Sequence, residues 1–214
     1  MSILHITCSP RGRESESHRL SQRILDRLIA AAGPQAPRIV EIDAAALPHV
    51  DHDYAAALSA PADPADAILG RGALRQSAQL IQALQDATHI VIATPMHNFT
   101  VPSSLKVWID HVVRVRSTFR ITAEGKIGNL PDRPVYVAIS SGGEFSGGAA
   151  RQPDFLTPYL KHVLGTIGLR TVTFFSVEGT ARGPDALQAA RRRADADIAA
   201  HPALAGGSPA SGDS

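Results

Sequence analysis

The stretch that most constrains this chain is Ile90-Val91-Ile92-Ala93-Thr94, an apolar run rich in β-branched residues that stops at Pro95. A run without alternation is what a strand buried on both faces of a parallel sheet requires. Met96 to Val101 then form a polar and aromatic loop, and Pro102-Ser103-Ser104 reads as a helix start with proline in the first turn. Loops that leave the carboxyl end of a central parallel strand and feed a helix are where open α/β sheets bind ligands. An ordinary connection of this kind would be polar throughout. Here Asn98 offers an amide donor and a carbonyl acceptor, Phe99 offers an aromatic face, and Met96 is apolar. That mixture suits a flat heteroaromatic ligand with a polar edge.

A second ligand-type loop follows the first strand, Ile3 to Thr7. Ser9-Pro10-Arg11-Gly12-Arg13-Glu14-Ser15-Glu16-Ser17 is rich in hydroxyls and runs into a helical pattern at Leu20, Ile24, Leu28 and Ile29. Free amides and the positive end of a helix dipole make such a junction an anion site. Two readings stand side by side: the loop holds a phosphate, or Ser15 or Ser17 simply caps the helix. Neither the dinucleotide Gly-x-Gly-x-x-Gly pattern nor a Walker loop is present, which counts against resident NAD or ATP and favours a monophosphate.

Further strands are expected at Arg38–Ile42, Val135–Ile139 and Thr171–Val177, and Thr118 to Gly125 alternates like a hairpin. Ser140-Ser141-Gly142-Gly143 directly follows a strand, and adjacent glycines there let backbone amides approach a ligand. His49, Asp51, His52 and Asp53 lie close together, yet nothing else in the sequence completes a ligand set, so no metal is expected. Ala55 to Ala67 reads as an excursion over the surface, and a last helix as running from about Pro184 to Ala200, with Arg191 to Arg193 on its solvated face. Ala203 to Ser214 is rich in Gly, Ser, Pro and Ala and reads as a disordered tail.

Several separated motifs now resemble one family. Pro95-Met96-His97-Asn98-Phe99 with Val101 to Lys106 and Asp110, Thr118-Phe119-Arg120, Ser140 to Gly143, Thr157 to Leu160, and Glu178-Gly179 occur in the order found in FMN-dependent NADH azoreductases. These are relatives of the NAD(P)H:quinone oxidoreductases. The resemblance covers the chain to about His201. It implies an α/β, flavodoxin-like, doubly wound sheet of five parallel strands in the order 2-1-3-4-5, with a hairpin extension and FMN at the switch point. It implies FMN phosphate on Ser9, Ser15, Glu16 and Ser17, and the isoalloxazine against Pro95, Met96, His97, Asn98, Phe99, Ser140, Ser141, Gly142 and Gly143. Where this chain has Ser15-Glu16-Ser17 the family carries Ser-Gln-Ser, so Glu16 is expected to point outward while its amide donates. His97 stands at the family's usual Tyr position and is the candidate proton donor; Ser141 replaces an arginine.

The activity implied is two-electron, ping-pong transfer from NADH, with NADPH as an alternative donor, to a quinone or azo acceptor. A homodimer with shared active sites is implied too, with Phe119 and the region around Trp108 helping to wall the site. A flavodoxin-type electron carrier is the competing reading. A serine hydrolase is disfavoured because Gly-x-Ser-x-Gly is absent. One domain over residues 1–202 fits 214 residues with 44% hydrophobic content. A net charge of +1 without a basic cluster excludes the footprint of a nucleic-acid binder. No apolar run spans a membrane, so a cytoplasmic location is expected. Cys8 reads as a small buried hydrophobe.

Overall fold

The computed structural model describes residues 1–60 and 71–204. Five strands form one parallel sheet: β1 (Ser2–Thr7), β2 (Arg38–Asp43), β3 (His89–Pro95), β6 (Val135–Ser140) and β7 (Val172–Val177), in the order β2-β1-β3-β6-β7. Counting only these strands, the order is 2-1-3-4-5, as the sequence led us to expect. The unbroken apolar runs occupy the centre: β3 is buried from Ile90 onward and β6 from Val135 to Ile139, whereas edge strand β2 is largely exposed. The strand order reverses between β1 and β3, so the loops leaving their carboxyl ends diverge and open a crevice.

Helices cover both faces. On one side lie α3 (Gly72–Asp86), α4 (Ser103–Val112) and α5 (Leu156–Thr166), packing Leu80, Leu84, Leu105, Trp108 and Leu160 against Leu4, Ile6, Ile90, Ile92 and Val137. On the other lie α1 (Glu16–Ala31) and α6 (Pro184–Ala200), packing Leu20, Ile24, Ala194 and Ile198 against Ile3, Val91, Tyr136 and Phe175. Alternate residues of β3 serve the two layers, the period-2 geometry of a strand applied to a sheet without a wet face.

Four sequence expectations need correcting. Pro102 is the N-cap of α4, one residue before the helix proper. Residues 55–59 belong to helix α2 (His52–Ser59), so the supposed excursion begins as a helix, and 61–67 lie outside the described residues. Asp51 caps that helix, accepting from the Tyr54 amide at 2.8 Å, and also accepts from the Ala73 amide at 3.3 Å. Among the described residues no group of three or more His, Cys, Asp or Glu side chains gathers as a metal site would need. Leu204, assigned to the tail, is fully buried in the α1/α6 layer; residues 205–214 lie outside the described residues. Lastly, Phe119 is 6% exposed and Trp108 fully buried, and both side chains pack into their own chain's core rather than standing free as a wall for a partner.

Phe119 begins β4 (Phe119–Thr122), which pairs antiparallel with β5 (Gly125–Gly128) as a separate two-stranded ribbon. The ribbon is docked by backbone contact: a Cβ on Gly128 would lie 2.2 Å from the Gly168 nitrogen, so only glycine fits. No helix among the described residues is long and apolar enough to cross a membrane.

Candidate active site

The crevice at the switch point is a single cleft of about 540 Å³, lined along one end by Ser9, Arg11, Ser15 and Glu16 and along the other by Pro95, Met96, His97, Ser140, Ser141 and Gly142. Its size falls within the range of small-molecule sites. Two loops meet here because their roots are tied together. The Cys8 amide donates to the Ala93 carbonyl at 2.9 Å, and the Ser104 hydroxyl at the start of α4 donates to the Cys8 carbonyl at 2.6 Å. Cys8 itself is buried, and burial, followed by the charge of Asp43, pushes its thiol well above the ordinary range. A protonated thiol in that place is packing, with no nucleophilic use.

At the polar end the loop is wound tightly. The Ser9 hydroxyl accepts from the Arg11 amide at 3.2 Å, and the Gly12 amide donates to the Ser9 carbonyl at 3.0 Å. Ser15 caps α1, accepting from the His18 amide at 3.2 Å and donating to the Gly12 carbonyl at 2.9 Å. Ser17 lies behind it, fully buried, with its hydroxyl 3.3 Å from that of Ser15. Capping and anion binding are therefore compatible: Ser15 spends its oxygen on His18, while the amides of Glu16 and Ser17, at the first two helical positions, have no acceptor within the helix.

Glu16 does not point outward. It lines the cleft, with its carboxylate gripped by Arg191 of α6, through Nε at 2.9 Å and also through Nη2, and with Arg19 Nε at 3.4 Å. The Arg191 bond is the leading reason its carboxyl is held below its ordinary range. Arg19 is in turn forked onto Asp195, at 3.1 and 3.3 Å. Arg191 is thus a cleft residue rather than part of a solvated face.

At the other end Met96 is nearly buried, and its amide donates to the Ser140 carbonyl at 2.8 Å. Gln152 reaches in to place its Nε2 3.0 Å from the Ser141 hydroxyl and 3.1 Å from the Met96 sulfur. The same side chain lies over Gly143, where a Cβ would meet Gln152 Oε1 at 2.3 Å. The loop after β7 backs this wall: Thr180 and Ala181 amides donate to Ser141 and Gly142 carbonyls at 3.1 and 3.4 Å. Glu178 ties down the next segment, accepting from the Phe145 amide at 2.7 Å and the Ser146 hydroxyl at 2.6 Å.

His97 and Thr100 exchange two backbone hydrogen bonds of 3.0 Å around Asn98 and Phe99, whose φ values are +49° and +70°. This is a two-residue hairpin turn with both central residues left-handed. For a phenylalanine that conformation costs about 1–2 kcal/mol. Phe99 is 45% exposed, and its carbonyl accepts from the amide of Phe155, itself 60% exposed. His97 also lines an adjoining cleft of about 200 Å³ with Pro10, Ala44, Leu47, His49 and Val107.

Of the residues expected to hold cofactor, Ser9, Ser15, Glu16, Pro95, Met96, His97, Ser140, Ser141 and Gly142 line the main cleft. Ser17 sits behind the loop, Asn98 and Phe99 stand in the exposed turn, and Gly143 is covered by Gln152. Besides Pro10, Arg11 and Glu14 of the serine loop itself, sequence reasoning missed Thr180, Leu187 and Arg191 as lining residues. They come from the far end of the chain, and the one signal for them was Glu178-Gly179 at the end of a strand.

A family model described as "Flavodoxin-like fold" matches residues 1–201. The chain belongs to this flavodoxin-like family. Among similar proteins, "FMN-dependent NADH:quinone oxidoreductase 5" of Burkholderia lata is 45% identical over 192 residues, covering 89% of this chain and 91% of its own. "FMN-dependent NADH:quinone oxidoreductase 4" of Pseudomonas fluorescens is 42% identical over 205 residues, covering 94% and 95%. Among solved structures, an FMN-dependent NADH-azoreductase from Bacillus anthracis in complex with FMN superposes with a TM-score of 0.74 at 22% identity, covering 92% of this chain and 97% of that one. At that identity the likeness speaks for the flavodoxin-like fold alone.

The polar end fits a phosphate. It offers the buried hydroxyls of Ser9 and Ser15 and the helix N-terminus, and of the two carboxylates in its lining Glu16 is paired with Arg191 while Glu14 is exposed to solvent. At the other end, a Cβ on Gly142 would meet nothing closer than 3.6 Å, so backbone and ligand can approach closely there.

Proposed function

We propose that this protein is an FMN-dependent NADH:quinone oxidoreductase that also reduces aromatic azo compounds. The observation that carries the reading is the single cleft that joins a hydroxyl-lined helix start to the Met96–His97 and Ser140–Gly142 loops at the switch point. Relatives so named, similar over nine-tenths of both chains, support it. Ser9, Ser15 and the first amides of α1 would hold the phosphate; Pro95, Met96, Ser141 and Gly142 would flank the ring. Bound FMN would supply two-electron hydride acceptance from NADH or NADPH and delivery to the quinone or azo acceptor.

The chain's own residues orient and exclude. Gln152 and Ser141 hold Met96 so that the wall stays apolar and fixed. His97, exposed at the mouth of both clefts, can pass a proton from its imidazole N–H to a reduced acceptor. Hydride transfer needs reacting atoms held about 3–3.5 Å apart in a dry pocket. One chain leaves the ring end open, with Phe99 and Phe155 exposed at 45% and 60%. A homodimer would close it, with the β4–β5 ribbon as an extension toward the partner's site. A cytoplasmic setting, where NADH is supplied, belongs to the same reading.

Initial rates with NADH and a benzoquinone varied together should give parallel double-reciprocal lines, because both substrates use one cleft in turn. An azo dye should serve as a second acceptor. Flavin-loaded protein that oxidises no NADH with any acceptor would leave an electron carrier in its place.

A further inference from the structure

The anion end of the cleft contains a built-in conflict. Glu16 occupies the first position of α1, where a carboxylate is favoured by the helix dipole and competes with any other anion for the same potential. A phosphate dianion placed beside it would meet a like charge in a partly desolvated cleft. Helix α6 removes the conflict. Arg191 sets Nε and Nη2 on the two oxygens of Glu16, a fork that satisfies the carboxylate and turns it toward α6. Both residues line the cleft. Arg19 reaches Glu16 only through Nε, at 3.4 Å, and is committed to Asp195 through both terminal nitrogens, so the pairing of Glu16 rests chiefly on Arg191.

We propose that Arg191 is a specificity-determining residue for the phosphate of the cofactor: by engaging Glu16 it frees the start of α1 for a second anion and so selects phosphorylated flavin over riboflavin. The inference rests on the FMN reading of the cleft and assigns a role to α6, which contributes no hydroxyl or amide donor of its own to the polar end.

The test uses the full chain stripped of flavin, with dissociation constants for FMN and for riboflavin read from flavin fluorescence. In Arg191→Met, FMN should weaken about 10–100-fold, the scale of an uncompensated like charge near a surface, while riboflavin changes less than about twofold. The loss should shrink as ionic strength rises. Adding Glu16→Gln to Arg191→Met should bring FMN back to within about threefold of wild type, and Glu16→Gln alone should bind FMN as well as wild type or better. Arg191→Lys, which keeps charge and loses the fork, should fall between, and covers the case in which the Met variant does not fold. FMN and riboflavin weakening together would show that α6 merely props the cleft, and a double variant without rescue would show that Glu16 is not the target; either result overturns the proposal. Wild-type protein that binds neither flavin would overturn the cofactor reading itself, a different outcome from wild-type binding that is indifferent to Arg191.

Discussion

The two ends of the cleft are built differently. The polar end is finished within one chain: Ser9, Ser15 and Ser17 are buried, Ser15 caps α1, and the Glu16 carboxylate is paired across to α6. The ring end is strained and open, with Asn98 and Phe99 at positive φ and two aromatic side chains facing outward. Anchoring a phosphate needs only fixed donors and charge balance, which a single domain can provide. Stacking a donor and an acceptor in turn needs a wall that can admit both, and the strained turn is where this chain leaves room for one. The contrast predicts that substitutions at the two ends separate cofactor affinity from acceptor kinetics.

The largest effect should come from Ser15→Ala. The Ser15 hydroxyl is bonded to the His18 amide and the Gly12 carbonyl, so its loss should act by unfixing the loop and the first amides of α1: FMN should weaken by about 10–100-fold, and the lost cap should cost about 1 kcal/mol of stability. Fluorescence titration and a thermal melt read the two separately. An unchanged FMN affinity would mean that the polar end is a cap and nothing more.

Next in size is Leu204. Truncation after Ala203 removes a fully buried side chain from the layer that carries α6 and should cost about 1.5–3 kcal/mol, whereas truncation after Leu204 should cost nothing. Equal melting temperatures for the two truncations would place the domain boundary before Leu204 after all. At the open end, Phe99→Gly should raise stability by about 1 kcal/mol by relieving the positive φ. It should leave FMN affinity within about twofold and raise the quinone KM. A loss of FMN binding in this variant would erase the distinction between the ends.

The smallest effect is in pH. His5 and His18 lie beneath the polar end, and burial is the leading reason that both are held below their ordinary value of 6.5. His5 is fully buried, bonded to Ser21 at 2.9 Å and facing Glu41, which pulls the other way. Below pH 6.5 the unfolded chain takes up protons that these imidazoles resist, so stability should be level above that pH and fall as pH drops below it. His5→Asn should flatten the slope. A melting temperature that rises on acidification would contradict the assignment.

The sheet was legible because β3 and β6 are unbroken apolar runs of strand length, rich in β-branched residues, and that combination separates a buried parallel strand from a buried helix segment. The serine loop and the Met96 loop were legible for the same local reason, since each follows its strand directly. What could not be read were the contacts made across the chain. Arg191 lies in a run of three arginines that looks like a solvated face, and only the packing of α6 against α1 turns the first of them toward Glu16. Phe119 was expected to help wall a shared site, yet the close approach of Gly128 to Gly168 presses the ribbon onto the core and buries it. Gln152 carries no motif at all, and its place over Gly143 follows from loops that meet only in the fold.

The central claim is that the cleft holds FMN and passes electrons from NADH to a quinone two at a time. The most direct measurement is the visible spectrum of the purified protein under anaerobic conditions, taken before and after one equivalent of NADH and again after one equivalent of benzoquinone. The account predicts a flavin spectrum that NADH bleaches without passing through a radical and that benzoquinone restores in full, with FMN as the only flavin released on denaturation. A colourless protein that takes up no added FMN, a released flavin that is FAD, or a bound flavin that NADH leaves unbleached would contradict it.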